Sequence, residues 1–125
     1  MNTLISFELA KLLKEKGFNK PTLLCYDKCD MLSSYVETVF KPKNYNTSGY
    51  VKSAPTIAEV VMWLYEKHGI WISITTLKPI VFVPELRSTT EESYKLLGSD
   101  KALSYKNSPT EAYEAAIEYT LKNLI

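Results

Sequence analysis

The chain has 125 residues, close to the commonest size of a single domain, and its 46% hydrophobic and 23% charged residues are ordinary for a globular protein. Fifteen basic against fourteen acidic residues leave a formal net charge of +1, which excludes a whole-molecule field that would gather nucleic acid or an anionic membrane. No apolar run approaches the roughly 20 residues that span a bilayer. We therefore expect one domain over residues 1–125, cytoplasmic and with no membrane partner.

The first part of the chain predicts a helix followed by a hairpin. Apolar residues recur at helical spacing over 3–16, and Gly17 follows where a left-handed cap needs a residue without Cβ. Residues 21–26 and 32–40 are rich in branched and aromatic side chains and flank a polar turn, which is typical of paired strands. The Pro, Gly and Asn content of 41–53 predicts a loop or a loose strand pair.

A second helix and hairpin follow. Thr56 and Glu59 have the spacing of a capping box, in which each side chain accepts a hydrogen bond from a backbone N–H at the helix start, and the helix runs to His68. Residues 70–77 and 80–83 predict two further strands. The second of these is apolar on both faces, which indicates a central position in a sheet.

The last third predicts a short helix over 89–97, a short strand over 102–105, and a long terminal helix. The terminal helix has the strongest start signal of the chain, with Ser108 as cap, Pro109 in the first helical position and Glu111 at the third. Together the elements predict an α+β fold in the order α-β-β-α-β-β-(α)-(β)-α. We expect a mostly antiparallel sheet of four or five strands with helices packed on one face.

The three framework helices carry a resemblance. Residues 5–17, 58–70 and 107–119 resemble a family of small uncharacterised proteins encoded by phages and prophage-like regions of gut anaerobic bacteria. The resemblance covers somewhat under half of the chain and implies a phage or prophage accessory protein in a bacterial host cell. It assigns no catalytic or binding residue to any position.

Motifs of the familiar enzyme classes are absent from the sequence. The four glycines form neither a phosphate-binding loop nor a nucleophile elbow. His68, the one histidine, falls in a last helical turn, where an imidazolium complements the helix dipole. We predict no catalytic residue and no cofactor. Glu111, Glu114 and Glu118 share one helix face, and an enzyme with an unrecognised carboxylate or tyrosine site stays an alternative.

The two cysteines do not predict a metal centre. Cys25 and Cys29 lie near Asp27 and Asp30, but a structural zinc site takes four protein ligands, usually in two well-spaced pairs, and there is no second pair. We expect no metal and interpret both cysteines as free thiols in a reducing compartment.

The 41–52 segment combines cations with aromatic rings and contains no acid. Lysines neutralise phosphates while aromatic faces stack on bases, so this composition suits a loop that binds single-stranded nucleic acid. A solvated loop without function is the simpler interpretation. The candidate nucleic-acid-binding residues are Lys41, Lys43, Tyr45, Tyr50 and Lys52.

The second helix carries more apolar surface than one sheet face can cover. A stripe about 100° wide is enough for a helix on a sheet, and Met62, Trp63 and Tyr65 are in excess of it. Tyr113 on the last helix adds to this surplus. These residue types are enriched at interface cores, although an internal core is the other explanation. Our leading hypothesis is therefore a non-catalytic protein that binds a protein partner or itself, as a homodimer.

Overall fold

The structure, a computed structural model, describes residues 3–27, 32–33, 42–47, 49, 51–90, 95–96 and 105–125, with the backbone alone at 32–33, 77 and 95–96. The chain divides into two units, Asn2–Thr56 and Ile57–Ile125, which we call the N-terminal and C-terminal units. Among the described residues, no helix has the length and apolar character needed to cross a membrane.

The N-terminal unit begins with helix α1, Phe7–Glu15. The helix starts four residues later than predicted because Leu4 forms a bridge with Thr56 and the N–H of Ile5 donates to the Pro55 carbonyl at 3.1 Å. The Ser6 hydroxyl caps the helix by accepting from the Leu9 N–H at 3.3 Å. Gly17 has a φ of 87°, as the predicted left-handed cap requires.

Three two-residue strands form the sheet of this unit: β1 (Cys25–Tyr26), β2 (Leu32–Ser33) and β3 (Lys52–Ser53). Strand β1 is central and antiparallel to both others, in the order β2-β1-β3. The predicted pairing of the first two strands is therefore confirmed, and β1 is shorter than the predicted strand over 21–26. Residues 28–31 and 34–40 of that predicted hairpin lie outside the described residues.

The described part of the predicted loop is held by one asparagine. Residues Tyr45–Thr47 form a 3₁₀ turn. The side chain of Asn46 donates to the Phe18 carbonyl at 2.8 Å and accepts from the Ser53 N–H at 2.8 Å. One side-chain amide therefore satisfies two backbone groups and connects the turn to Phe18 and to β3.

The C-terminal unit contains helix α2 (Ile57–His68), strands β4 (Ile70–Lys78), β5 (Val81–Ser88) and β6 (Lys95–Leu96), and helix α3 (Pro109–Asn123). Helix α2 ends at Gly69, whose φ is 65°. The hydroxyl of Ser108 caps α3 by accepting from the Glu111 N–H at 3.1 Å, with Pro109 in the first turn as predicted.

The sheet of this unit is antiparallel in the order β4-β5-β6, and β5 is central, as its apolar faces indicated. Pro84 is compatible with a central strand because Phe82, two residues earlier, exchanges its backbone hydrogen bonds with Lys106, on the side away from β4. The nitrogen of Pro84 points to that same side and leaves the β4–β5 ladder intact.

The described residues between 89 and 97 do not form the short helix predicted there. The N–H and the hydroxyl of Thr89 both donate to the Gly69 carbonyl, at 2.7 and 2.9 Å, and so close the end of the β4–β5 pair instead of capping a helix. Lys95–Leu96 then pairs with β5 as strand β6. The strand predicted over 102–105 lies almost wholly outside the described residues, but its neighbour Lys106 forms a bridge with Phe82.

Both helices of the C-terminal unit pack on its sheet, since α3 contacts β4 and β5 while α2 contacts β4 and α3. The buried side chains of α2 and α3 alternate with exposed ones at helical spacing, and those of β4 and β5 at every second position. The largest fully buried side chains of this unit are Ile57, Val60, Trp63, Leu64, Ile72, Leu86, Ile117 and Leu121.

The α+β class is confirmed, with three helices and antiparallel strands. The predicted single sheet of four or five strands is not shown, because the described strands form two separate sheets, one in each unit. Apolar alternation identifies a strand and the face it buries, but it carries no information on which strands become hydrogen-bonded neighbours.

Candidate functional site

The C-terminal unit exposes three large apolar side chains beside one another. Met62 and Tyr65 are each 44% exposed and lie three residues apart on α2, hence on one face of the helix. Trp71, at the start of β4, is 39% exposed, and its ring meets that of Tyr65 edge to face at a centroid distance of 5.6 Å. We call these three residues the α2–β4 surface.

Strand alternation places Trp71 on this surface. Its neighbours Ile70 and Ile72 are buried, at 6% and 1% exposed, so Trp71 points to the opposite side of β4. In the register of the sheet Trp71 lies opposite Arg87, which is bound to Glu85 at 3.2 Å. Trp, Tyr and Arg are the residues that most often dominate binding energy at protein interfaces.

Two of the four predicted interface residues do not belong to this surface. Trp63 is 2% exposed and packs against His68, with ring centroids 4.9 Å apart, so it is part of the core. Tyr113 is half-buried on α3. Met62 and Tyr65 lie on the exposed face of α2, and Trp71 lies beside them where Trp63 does not.

His68 is not the exposed imidazolium that its position at the end of a helix suggested. Its Nε2 atom is buried, and none of the described residues forms a hydrogen bond with it. Burial lowers the pKa of His68, and the neighbouring Lys67 ammonium lowers that pKa further. The ring is therefore neutral at neutral pH and acts as an aromatic packing element against Trp63 rather than as a helix-dipole partner.

Three of the five predicted nucleic-acid-binding residues, Lys43, Tyr45 and Lys52, are among the described residues. Tyr45 is 3% exposed and forms a core cluster with Cys25 and Val51, so its ring cannot stack on a base. Lys43 is exposed, with its Nζ 5.6 Å from the centre of the Tyr45 ring. Lys41 and Tyr50 lie outside the described residues.

Lys52, the remaining residue of that prediction, lies in a different group of side chains. Its Nζ is 5.3 Å from the centre of the Phe7 ring, and the Nζ of Lys11 is 5.6 Å from the same ring. The Tyr26 ring meets Phe7 edge to face at 5.6 Å, and its hydroxyl donates to the Ile5 carbonyl at 2.7 Å. We call Phe7, Lys11, Tyr26 and Lys52 the Phe7 cluster.

The carboxylates of α3 have structural explanations. The carboxylate of Glu118 accepts from Lys122 at 2.6 Å, and Glu111 lies in the first turn, where the helix dipole favours a negative charge. Burial raises the pKa of Glu114, and the charges of Glu111 and Glu118 raise it further. Among the residues that the structure describes, no three His, Cys, Asp or Glu side chains are grouped as metal ligands.

The residues that sequence reasoning missed are Trp71, Phe7 and Lys11. The Ile-Trp-Ile alternation at 70–72 was a signal for Trp71, since one side chain of such a triplet must point away from the other two. Phe7 and Lys11 are four residues apart on one helix face. Their proximity to Lys52 depends on tertiary packing that no local pattern encodes.

Comparison with known proteins gives no further identification: no family model, no curated protein and no solved structure matches the chain.

Proposed function

We propose that the chain is a non-catalytic protein-binding protein that pairs with a second copy of itself through the α2–β4 surface. The observation that carries this proposal is the adjacency of Met62, Tyr65 and Trp71, three large apolar side chains that are about two-fifths exposed in the single chain. Isolated exposed apolar residues are normal on any protein, whereas contiguous ones of these types mark interaction sites.

The size of the surface limits the strength of the pairing. Large side chains of this kind carry roughly 150–250 Å² each, so the exposed fractions of the three amount to roughly 200–300 Å². A standard interface buries about 800 Å² per partner. The α2–β4 surface can therefore be the apolar centre of an interface, with the polar residues around it as the rim, and the pairing should depend on protein concentration.

The charges beside the surface favour a copy of the chain over a strongly charged partner. Glu59, Glu66 and Lys67 are exposed on α2, and Arg87 and Glu85 form a neutral pair on the sheet. Because both signs are present among these described residues, their charges favour neither an acidic nor a basic ligand. A near-neutral partner with its own apolar centre fits, and a second copy has these properties.

Sedimentation velocity over a concentration series tests the pairing. The wild type should shift from monomer to dimer as concentration rises, and Met62→Ser and Trp71→Ser should each keep the chain monomeric to at least tenfold higher concentration. Leu23→Ser and Ile80→Ser are matched controls, because these side chains are 53% and 69% exposed, Leu23 in the N-terminal unit and Ile80 in the turn between β4 and β5. The controls should dimerise like the wild type.

Thermal unfolding of each variant accompanies the sedimentation, and similar midpoints show that the fold is kept. A wild type that remains monomeric at the highest concentration removes the proposal. So does a dimer that Met62→Ser and Trp71→Ser weaken no more than the controls do.

A bacterial cytoplasmic setting and a phage or prophage origin belong to the same proposal. They rest on the resemblance of the three framework helices and on the sequence pattern. A genomic survey that placed genes for similar chains outside phage and prophage regions would remove this part of the proposal and leave the pairing untouched.

A further inference from the structure

The N-terminal unit has an excess of positive charge that the near-neutral total conceals. Its described residues include six lysines and three acids, namely Glu8, Glu15 and Asp27. Every cation there is a lysine, which binds phosphate as a compact point charge.

Three of those lysines converge on the Phe7 cluster. The Nζ atoms of Lys11 and Lys52 lie 5.6 and 5.3 Å from one ring centre and so cannot be more than about 11 Å apart. Lys14 donates to the Val51 carbonyl at 2.8 Å, on the residue before Lys52. Burial lowers the pKa of Lys14, and the charge of Lys52 lowers it further, as expected for neighbouring like charges.

One acid, Glu8, lies beside Lys11 at the surface. Glu8 is bound to Lys11 at 3.6 Å, with side chains that are 77% and 44% exposed. A surface pair of this kind contributes little to stability and is readily exchanged for another anion. An anion at the cluster would relieve the repulsion between the ammonium groups and replace a weak partner by a stronger one.

Base stacking is not part of the chemistry here. Phe7 already has two cations over its ring and the Tyr26 ring against it, and Tyr45 is in the core. The aromatic rings hold the lysines in place instead of presenting an open face. The cluster therefore recognises the charge of the ligand and forms no contact that depends on a base.

We propose that the Phe7 cluster binds phosphate groups, supplied either by a nucleic-acid backbone or by free polyphosphate. Lys11 and Lys52 supply the charges that contact the ligand. Lys14 is a positioning residue, since its ammonium is engaged with the Val51 carbonyl. The site is distinct from the α2–β4 surface and does not depend on self-association.

The test uses fluorescence anisotropy at low salt with a labelled oligothymidylate and a labelled abasic oligomer, and isothermal titration calorimetry with inorganic tripolyphosphate. The double variant Lys11→Gln/Lys52→Gln should bind the labelled probes roughly tenfold more weakly. The slope of the logarithm of its binding constant against the logarithm of the salt concentration should also be smaller by about 1.4, since each phosphate contact on a single strand contributes about 0.7. The control Lys67→Gln/Lys78→Gln removes two exposed lysines of the C-terminal unit and should bind like the wild type.

The probes also separate the two sources of phosphate. Equal binding of the oligothymidylate and the abasic oligomer supports recognition of the backbone, and binding of tripolyphosphate alone supports free polyphosphate. The proposal is overturned if none of the three ligands binds the wild type. It is also overturned if the double variant and the control lose the same affinity, or if the oligothymidylate binds and the abasic oligomer does not. Circular dichroism of the double variant confirms that it is folded.

Discussion

Replacing each of the two left-handed glycines by alanine should separate backbone strain from crowding. Gly17 and Gly69 both have positive φ, at 87° and 65°, which costs an L-residue roughly 1–2 kcal/mol. Alanine offsets about 0.4–1 kcal/mol of this cost, because it has fewer conformations than glycine in the unfolded chain. A Cβ at position 17 would meet nothing within 4 Å, so we expect Gly17→Ala to lose about 0.5–1.5 kcal/mol.

Gly69→Ala should be worse, because a Cβ there collides with the Cγ2 methyl of Thr90. That methyl can move only by turning the Thr90 side chain, whose hydroxyl lies 3.1 Å from the Ser88 hydroxyl. An off-rotamer side chain or a lost surface hydrogen bond adds about 1 kcal/mol. For 125 residues, 1 kcal/mol corresponds to about 4 °C in the unfolding midpoint.

Differential scanning calorimetry of the wild type and both variants measures the difference. The midpoint should fall by a few degrees for Gly17→Ala and by about 4 °C more for Gly69→Ala. If Gly69→Ala unfolds at the same temperature as Gly17→Ala, or at a higher one, the described packing of Thr90 over the end of α2 is wrong.

Three further substitutions test the core, the loop and the buried histidine, each by chemical denaturation. Leu64→Ala should lower the free energy of unfolding by about 2–5 kcal/mol because Leu64 is fully buried. Met62→Ala, on the exposed face of the helix, should change it by no more than about 0.5 kcal/mol. Equal losses would contradict the assignment of the helix faces. Asn46→Ala leaves two backbone groups without their hydrogen-bond partner and should lower the free energy of unfolding by about 2–4 kcal/mol. The control Asn19→Ala, at an exposed position, should leave it almost unchanged. A loss for Asn46→Ala as small as that of the control would mean that the amide does not stabilise the loop. The pKa of His68 is lower in the folded chain than in the unfolded chain. As pH falls below about 6.5, the unfolded chain therefore binds more protons than the folded chain does. The wild type loses stability over this range, until the pH falls below the folded pKa. His68→Phe retains an aromatic ring at that position and should reduce this loss between about pH 7 and pH 5, and an unchanged pH dependence would assign the loss to other groups.

The helices could be predicted from the sequence because their signals are local. Ser108, Pro109 and Glu111 fix the start of α3, and the glycines at 17 and 69 fix the ends of α1 and α2. The beginning of α1 was placed too early because Leu4 and Ile5 have helical spacing but pair with residues about 50 positions away. Contacts at that separation leave no trace in a local pattern.

The candidate site could be predicted only in outline. The excess apolar surface on α2 was visible from the sequence, and Met62 and Tyr65 are exposed as that excess suggested. The division between the exposed side chains and Trp63 depends on which side of the helix the sheet covers. The same limit explains Tyr45, whose sequence context is polar but whose ring is held in the core by the turn around Asn46.

The fluorescence of the two tryptophans tests the central proposal most directly. Trp63 is buried within the single chain and should contribute a constant signal, whereas Trp71 is 39% exposed and should lose its contact with water when two copies meet. On raising the concentration through the range of association, we predict a shift of the emission to shorter wavelength and less quenching by acrylamide, and neither change in Met62→Ser. Emission and quenching that stay constant while the chain dimerises would place the interface elsewhere and contradict the account.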